Sequence, residues 1–180
     1  QGYVVPSMAS RDMRQDLLDS STLRNDVEIF AFDSNSDGFG TGSAQVIDAA
    51  ILDSDGRPLS WAVGGQPVSM TVTCQAIAEI HSPIIGFEMR DRLGQVIFAD
   101  NTYLTTRMRP VPVKAGEVVK AKFEFRMPIL RGGDYTFSAA IAEGTQPFLV
   151  GTQRCCGLLK TKSLLDALEA GNFEAPFRGA

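Results

Sequence analysis

The sequence offers covalent and acid–base chemistry only one histidine, three cysteines and a scatter of carboxylates. His81 alone excludes the usual Ser-His-Asp arrangement and any multi-histidine metal site. It stands two residues before Pro83 and reads as a solvated loop residue. Cys155 and Cys156 are adjacent and so lack the Cys-x-x-Cys spacing that grips zinc, while Cys74 falls in an apolar run as a small core residue. Asp33-Ser-Asn35-Ser-Asp37-Gly38 matches the first half of a calcium loop. The twelfth position, which must supply a bidentate carboxylate, is Ala44, so the stretch reads as an Asx-type turn. Neither G-x-x-x-x-G-K-[ST] nor G-x-G-x-x-G occurs to cradle a phosphate. Glu88, Asp91, Glu124 and Glu143 are the carboxylates a glycosidase would need in pairs, but they fall on outward strand faces, where acids are solvated. The expectation is a chain with no cofactor, no metal and no catalytic residue.

What remains is a binding surface. Sugars are held by flat aromatic faces against ring C–H groups and by Asn, Asp and Arg bonding hydroxyls in pairs. Arg90, Asp91 and the run Phe98-Ala-Asp100-Asn101-Thr102-Tyr103 put such residues around one hairpin. Trp61, the sole tryptophan, is expected half-buried in a core.

The elements that must position these residues have a period of two. Val68–Ala76 sets Val68, Met70, Val72, Cys74 and Ala76 against Ser69, Thr71, Thr73 and Gln75. Ile84–Arg90 points Ile85, Phe87 and Met89 inward, and Asp91-Arg-Leu-Gly94 turns it into Gln95–Asp100. Val118–Met127 and Tyr135–Ala142 alternate in the same way, and Val27–Phe32, Ala44–Leu52 and a short segment from Pro147 add further strands. About eight strands at this spacing leave no room for crossover helices. The reading is all-β, an antiparallel β-sandwich over residues 27–153.

The ends depart from this pattern. Residues 1–26 read as a polar lead-in or tether, with a short helix from Ser10 to about Leu18; residues 154–180 read as a tail with a short helix over Ser163–Ala170. A length of 180 residues suits one domain with such appendages. Lys plus Arg is 17 and Asp plus Glu is 21, a net charge of −4 that builds no footprint for nucleic acid. No apolar run approaches the length that spans a bilayer. An odd cysteine count and the lack of any N-x-[ST] fit a reducing compartment, and a chain beginning at Gln1 reads as a piece of a longer polypeptide or a processed one. The cytoplasm is the expected location.

Three blocks carry a more specific signal. They are Gly40-Thr-Gly-Ser-Ala-Gln-Val-Ile-Asp-Ala-Ala-Ile-Leu-Asp-Ser-Asp-Gly56, Gly64-Gly-Gln-Pro-Val68, and Pro83-Ile-Ile-Gly-Phe-Glu-Met-Arg-Asp-Arg-Leu-Gly-Gln-Val-Ile-Phe-Ala-Asp-Asn-Thr102. In order and spacing, across about residues 27–150, the chain resembles the C-terminal domain of Wzt, the nucleotide-binding subunit of O-antigen polysaccharide ABC exporters. The resemblance implies an immunoglobulin-like sandwich that binds O-polysaccharide, often at a modified non-reducing end. It further implies an ATPase domain upstream, a transmembrane permease as partner, a homodimer, and a cytoplasmic place peripheral to the inner membrane. Arg90, Asp91, Asn101, Thr102 and Tyr103 match its hairpin block and are the candidate carbohydrate-binding residues; a hydrogen-bonded hairpin end is the other use for them. Family members usually finish with another strand, which the tail reading here lacks. A structural sandwich that dimerises the ATPase subunit is the alternative function, and a glycosidase the third.

Overall fold

The computed structural model describes residues 3–5, 25–33, 38–39, 41–144 and 153–162. Eleven strands are found among them, in the order β1 (Tyr3–Val5), β2 (Asp26–Ile29), β3 (Gly38–Phe39), β4 (Ala44–Leu52), β5 (Trp61–Val63), β6 (Pro67–Ala76), β7 (Pro83–Asp91), β8 (Val96–Asn101), β9 (Val118–Arg126), β10 (Gly133–Glu143) and β11 (Gln153–Lys162). A single helical turn, α1 (Tyr103–Thr106), follows β8. No described helix is long and apolar enough to cross a membrane.

The strands form two sheets. The smaller has the order β1-β9-β6-β4; the larger runs β5-β2-β11-β10-β7-β8, with β3 also pairing to β11. Pairing is antiparallel except for β1 on β9, which is parallel. The architecture is the expected all-β sandwich, with short additional strands at its margins.

Alternation explains the core. Val68, Met70, Val72, Cys74 and Ala76 of β6 and Val119, Ala121 and Phe123 of β9 are buried against Ile85, Phe87 and Met89 of β7 and Tyr135, Phe137, Ala139 and Ile141 of β10. Phe87 is the hub: its ring lies 5.0 Å from Phe123, 5.6 Å from Phe98, and 5.7 Å from both Phe125 and Phe137. Each such ring, fully buried, adds about 1.5–3 kcal/mol through area removed from water. The Tyr135 hydroxyl donates to the Arg131 carbonyl at 3.0 Å, the corner that immunoglobulin-like sandwiches use to fix a strand entrance. Asn25, buried just ahead of β2, donates through Nδ2 to the Leu130 carbonyl at 2.8 Å and accepts the Leu130 N–H through Oδ1 at 3.0 Å.

Three sequence expectations change. Residues 153–162 form β11 between β2 and β10, so the sandwich continues where a tail was expected from residue 154. A register shift explains the miss: Phe137 pairs with Gly157 and Ser138 with Cys155, so Cys156 is an extra residue that breaks the period of two. The lead-in is more than a tether, because Tyr3–Val5 adds a strand to the smaller sheet. Trp61 is 56% exposed on the edge strand β5, not half-buried in the core. The helices expected at Ser10–Leu18 and Ser163–Ala170, the strand from Pro147 and most of the Asp33–Gly38 turn lie outside the described residues.

Candidate functional site

The β7–β8 hairpin carries the five candidates, and the fold sorts them into two groups. Arg90 and Asp91 stand at its turn, where Arg90 pairs with Val96; Asn101 pairs with Gly86 at the other end and leads into Thr102 and Tyr103. The two rows lie four positions apart along β7, about 13 Å at roughly 3.3 Å per residue.

Two candidates are consumed by the fold. Asp91 Oδ1 accepts the N–H groups of Leu93 and Gln95 at 2.8 and 2.9 Å, and the Asp91 carbonyl accepts that of Gly94 at 2.9 Å. Gly94 adopts φ +78°, which is why glycine closes this turn. Thr102 is 2% exposed, and its Oγ1 accepts the Ile85 N–H at 3.0 Å. Its carbonyl accepts the hydroxyls of Thr105 and Thr106 at 2.8 and 2.9 Å, which starts α1.

Three candidates keep part of their side chains at the surface. Arg90 projects from the outer face of β7, where its Nε and Nη2 both reach Glu88 Oε1 at 2.8 Å and its Nη1 donates to the Gly94 carbonyl at 3.0 Å. The guanidinium is thereby oriented while remaining part-exposed. Asn101 is exposed and uses Oδ1 to accept the Tyr103 N–H at 2.9 Å, which leaves its amide nitrogen without a partner among the described residues. Tyr103 is half-buried at the first position of α1.

Between the two groups the outer face has small side chains. Glu88 lies between Ala99 of β8 and Ser138 of β10; Gly86 lies between Asn101 and Ala140. A Cβ on Gly86 would come within 2.9 Å of both Asn101 Cβ and the Asp100 carbonyl, so only glycine fits there. The result is a shallow strip with an oriented cation–carboxylate pair at one end and an amide and a phenol at the other. Chemically it can bond hydroxyls along an extended polar ligand. The sequence reading missed Glu88 as the residue that orients Arg90, and the i, i+2 spacing of opposite charges on one strand face was the signal for it.

The other carboxylates considered for hydrolysis are also engaged. Glu124 pairs with Lys122 at 2.7 Å, and Glu143 accepts the His81 backbone N–H at 3.0 Å. No group of three or more metal-ligating side chains exists among the described residues. His81 is exposed, 3.8 Å from Glu79.

A family model described as the Wzt C-terminal domain matches residues 35–150. This chain belongs to the Wzt C-terminal domain family. The crystal structure of the C-terminal domain of Wzt shares its fold, with a TM-score of 0.57 and 18% identity over 83% of this chain and 92% of that one. Chicken MD-1, in a structure described as complexed with lipid IVa, is 12% identical with a TM-score of 0.35 over 77% of this chain and 97% of that one, too slight a likeness to bear on it. No curated protein matches the chain. Wzt-family membership makes this a carbohydrate-binding domain of an ABC-transporter subunit.

Proposed function

We propose that the domain recognises O-antigen polysaccharide, at its modified non-reducing end, on the outer face of β7 and β8, and so admits the finished chain to the exporter. The observation that carries this reading is the strip itself: Arg90 oriented by Glu88 at one end, Asn101 and Tyr103 at the other, and the small residues Gly86 and Ala99 between them. A separation of about 13 Å suits contacts to successive sugar units rather than to one. Selection works by differential affinity: a chain end of the right shape satisfies these donors and acceptors, and a wrong one leaves polar groups unpaired. Affinity in the roughly micromolar to millimolar range is expected, because few apolar atoms are buried and transport requires release.

In this setting the domain works in the cytoplasm at the inner membrane, as a homodimer attached to an upstream ATPase domain and serving a permease. Val96 and Ile97 stand exposed on the edge strand β8, with Leu93 exposed in the turn before it, which favours a second reading as a dimerising sandwich. An NMR titration with capped and uncapped O-polysaccharide separates the two. The first reading expects shifts on the β7–β8 face with the capped chain alone, weakened about tenfold by Arg90→Ala or Tyr103→Ala. No shift with either chain would sink it. Loss of the dimer in Val96→Asp with Ile97→Asp, without sugar binding in any variant, would establish the second.

A further inference from the structure

The outer face of the smaller sheet holds a pocket of about 350 Å³ that none of the preceding argument uses. Its polar walls are Asp53, Ser54, Ser69, Lys122, Glu124 and Arg126, and Pro67, Val68 and Phe125 complete the lining. Its volume falls in the range of small-molecule sites, about 300–1,000 Å³. Ser69 alternates with the core-facing Val68 and Met70, so its side chain points outward into this pocket, in register between Leu52 of β4 and Glu124 of β9. Ser69 is only 4% exposed, and its Oγ has no hydrogen-bond partner. A buried hydroxyl without a partner is destabilising, and proteins seldom retain one without a use.

Charge narrows the ligand. Lys122 Nζ meets Glu124 Oε1 at 2.7 Å, and Asp53 Oδ2 is held by Arg57 Nε at 3.1 Å. Arg126 donates Nη1 to the Gly65 carbonyl at 3.0 Å and has no carboxylate partner among the described residues. Two cations and two carboxylates therefore line the pocket. A phosphate would face Glu124 and Asp53; an amine would face Lys122 and Arg126. A neutral ligand rich in hydroxyls, each both donor and acceptor, suits such mixed lining.

We propose that this pocket is a second sugar-contact site, taking one neutral hexose-sized unit whose hydroxyls bond Ser69 Oγ, the Lys122–Glu124 pair and the spare N–H groups of Arg126. The proposal rests on the carbohydrate-binding reading above but concerns a different face, so a polysaccharide would touch the sandwich on both sides or present separate units to each.

The test is a ¹H–¹⁵N titration of the 180-residue chain with D-mannose, D-galactose and N-acetyl-D-glucosamine, and separately with D-glucuronate and inorganic phosphate. At least one neutral sugar should shift the amides of Ser69, Lys122, Glu124 and Arg126. Ser69→Ala should weaken that binding about fivefold without lowering the melting temperature, since no internal bond is lost. Arg90→Ala should leave these shifts unchanged. Shifts here with phosphate or glucuronate alone would overturn the proposal in favour of an anion site. With O-polysaccharide also tested, shifts only at β7–β8 would overturn this site and leave the main reading standing. Shifts at neither face would overturn both.

Discussion

The outer faces of the two sheets solve opposite problems with similar residues. On the larger sheet, the hairpin's polar side chains are mostly spent inside the molecule: Asp91 closes a turn, Thr102 caps a backbone N–H, and Arg90 is bound to Glu88 and Gly94. On the smaller sheet, the ion pairs lie at the surface, and the buried Ser69 hydroxyl keeps its bonding capacity in reserve. Residue type alone therefore does not say which polar groups are available to a ligand. The backbone decides, by the N–H groups it leaves for side chains to satisfy.

Substitutions at each face should exaggerate that difference. The largest effect is expected from Gly86→Ala, whose Cβ would press on the Asp100 carbonyl at 2.9 Å in a position without freedom to move. It should destabilise the fold by about 3 kcal/mol, measured by urea denaturation, and loosen the β7–β8 pairing before anything on the smaller sheet. Thr102→Val keeps the shape but strands the Ile85 N–H; about 2 kcal/mol should be lost. Ser69→Ala is the counterpart on the other face and should leave stability unchanged or raise it by up to about 1 kcal/mol. Similar losses for Thr102→Val and Ser69→Ala would abolish the contrast.

The smallest effect concerns pH. The Arg57 backbone N–H, aided by its guanidinium and the Asp55 N–H, holds the Asp53 carboxyl below its ordinary value. A lowered carboxyl stabilises the fold at pH values above the ordinary carboxylate range, and this contribution fades as the pH falls through the folded-state value. Asp53→Asn should therefore flatten the acid limb of a melting-temperature profile by slightly lowering the neutral-pH values, leaving those below the folded-state value almost untouched.

Most of the sandwich was legible because β6, β7, β9 and β10 alternate without interruption. The sequence rule failed where the backbone adds a residue in β11, whose register Cys156 shifts; the similar break between Val46 and Asp48 did not hide β4, read correctly as Ala44–Leu52. Strands as short as Tyr3–Val5 and Trp61–Val63 carry too few residues for a period, and Trp61 ended exposed because its strand lies at a sheet edge. The hairpin was legible as a place rich in sugar-binding residue types, but the division of labour within it was not. Asp91 sits one residue past the outward Arg90, so parity already pointed it away from the outer face. Thr102 reads as an ordinary polar residue until the unpaired Ile85 N–H beside it is known. The Ser69 pocket was invisible for a similar reason, since its walls come from Asp53, Lys122 and Arg126, far apart in sequence.

The pairing of β2 with β11 sets a timetable for synthesis. Asp26 must find Lys162, made 136 residues later, and at roughly 5–20 residues per second that wait is on the order of ten seconds. Until then β2 has only β5 beside it, and the inner side of the larger sheet is missing its middle strand. The nascent chain thus spends that interval with β2 paired along one edge alone, and this is when a chaperone would matter most to it.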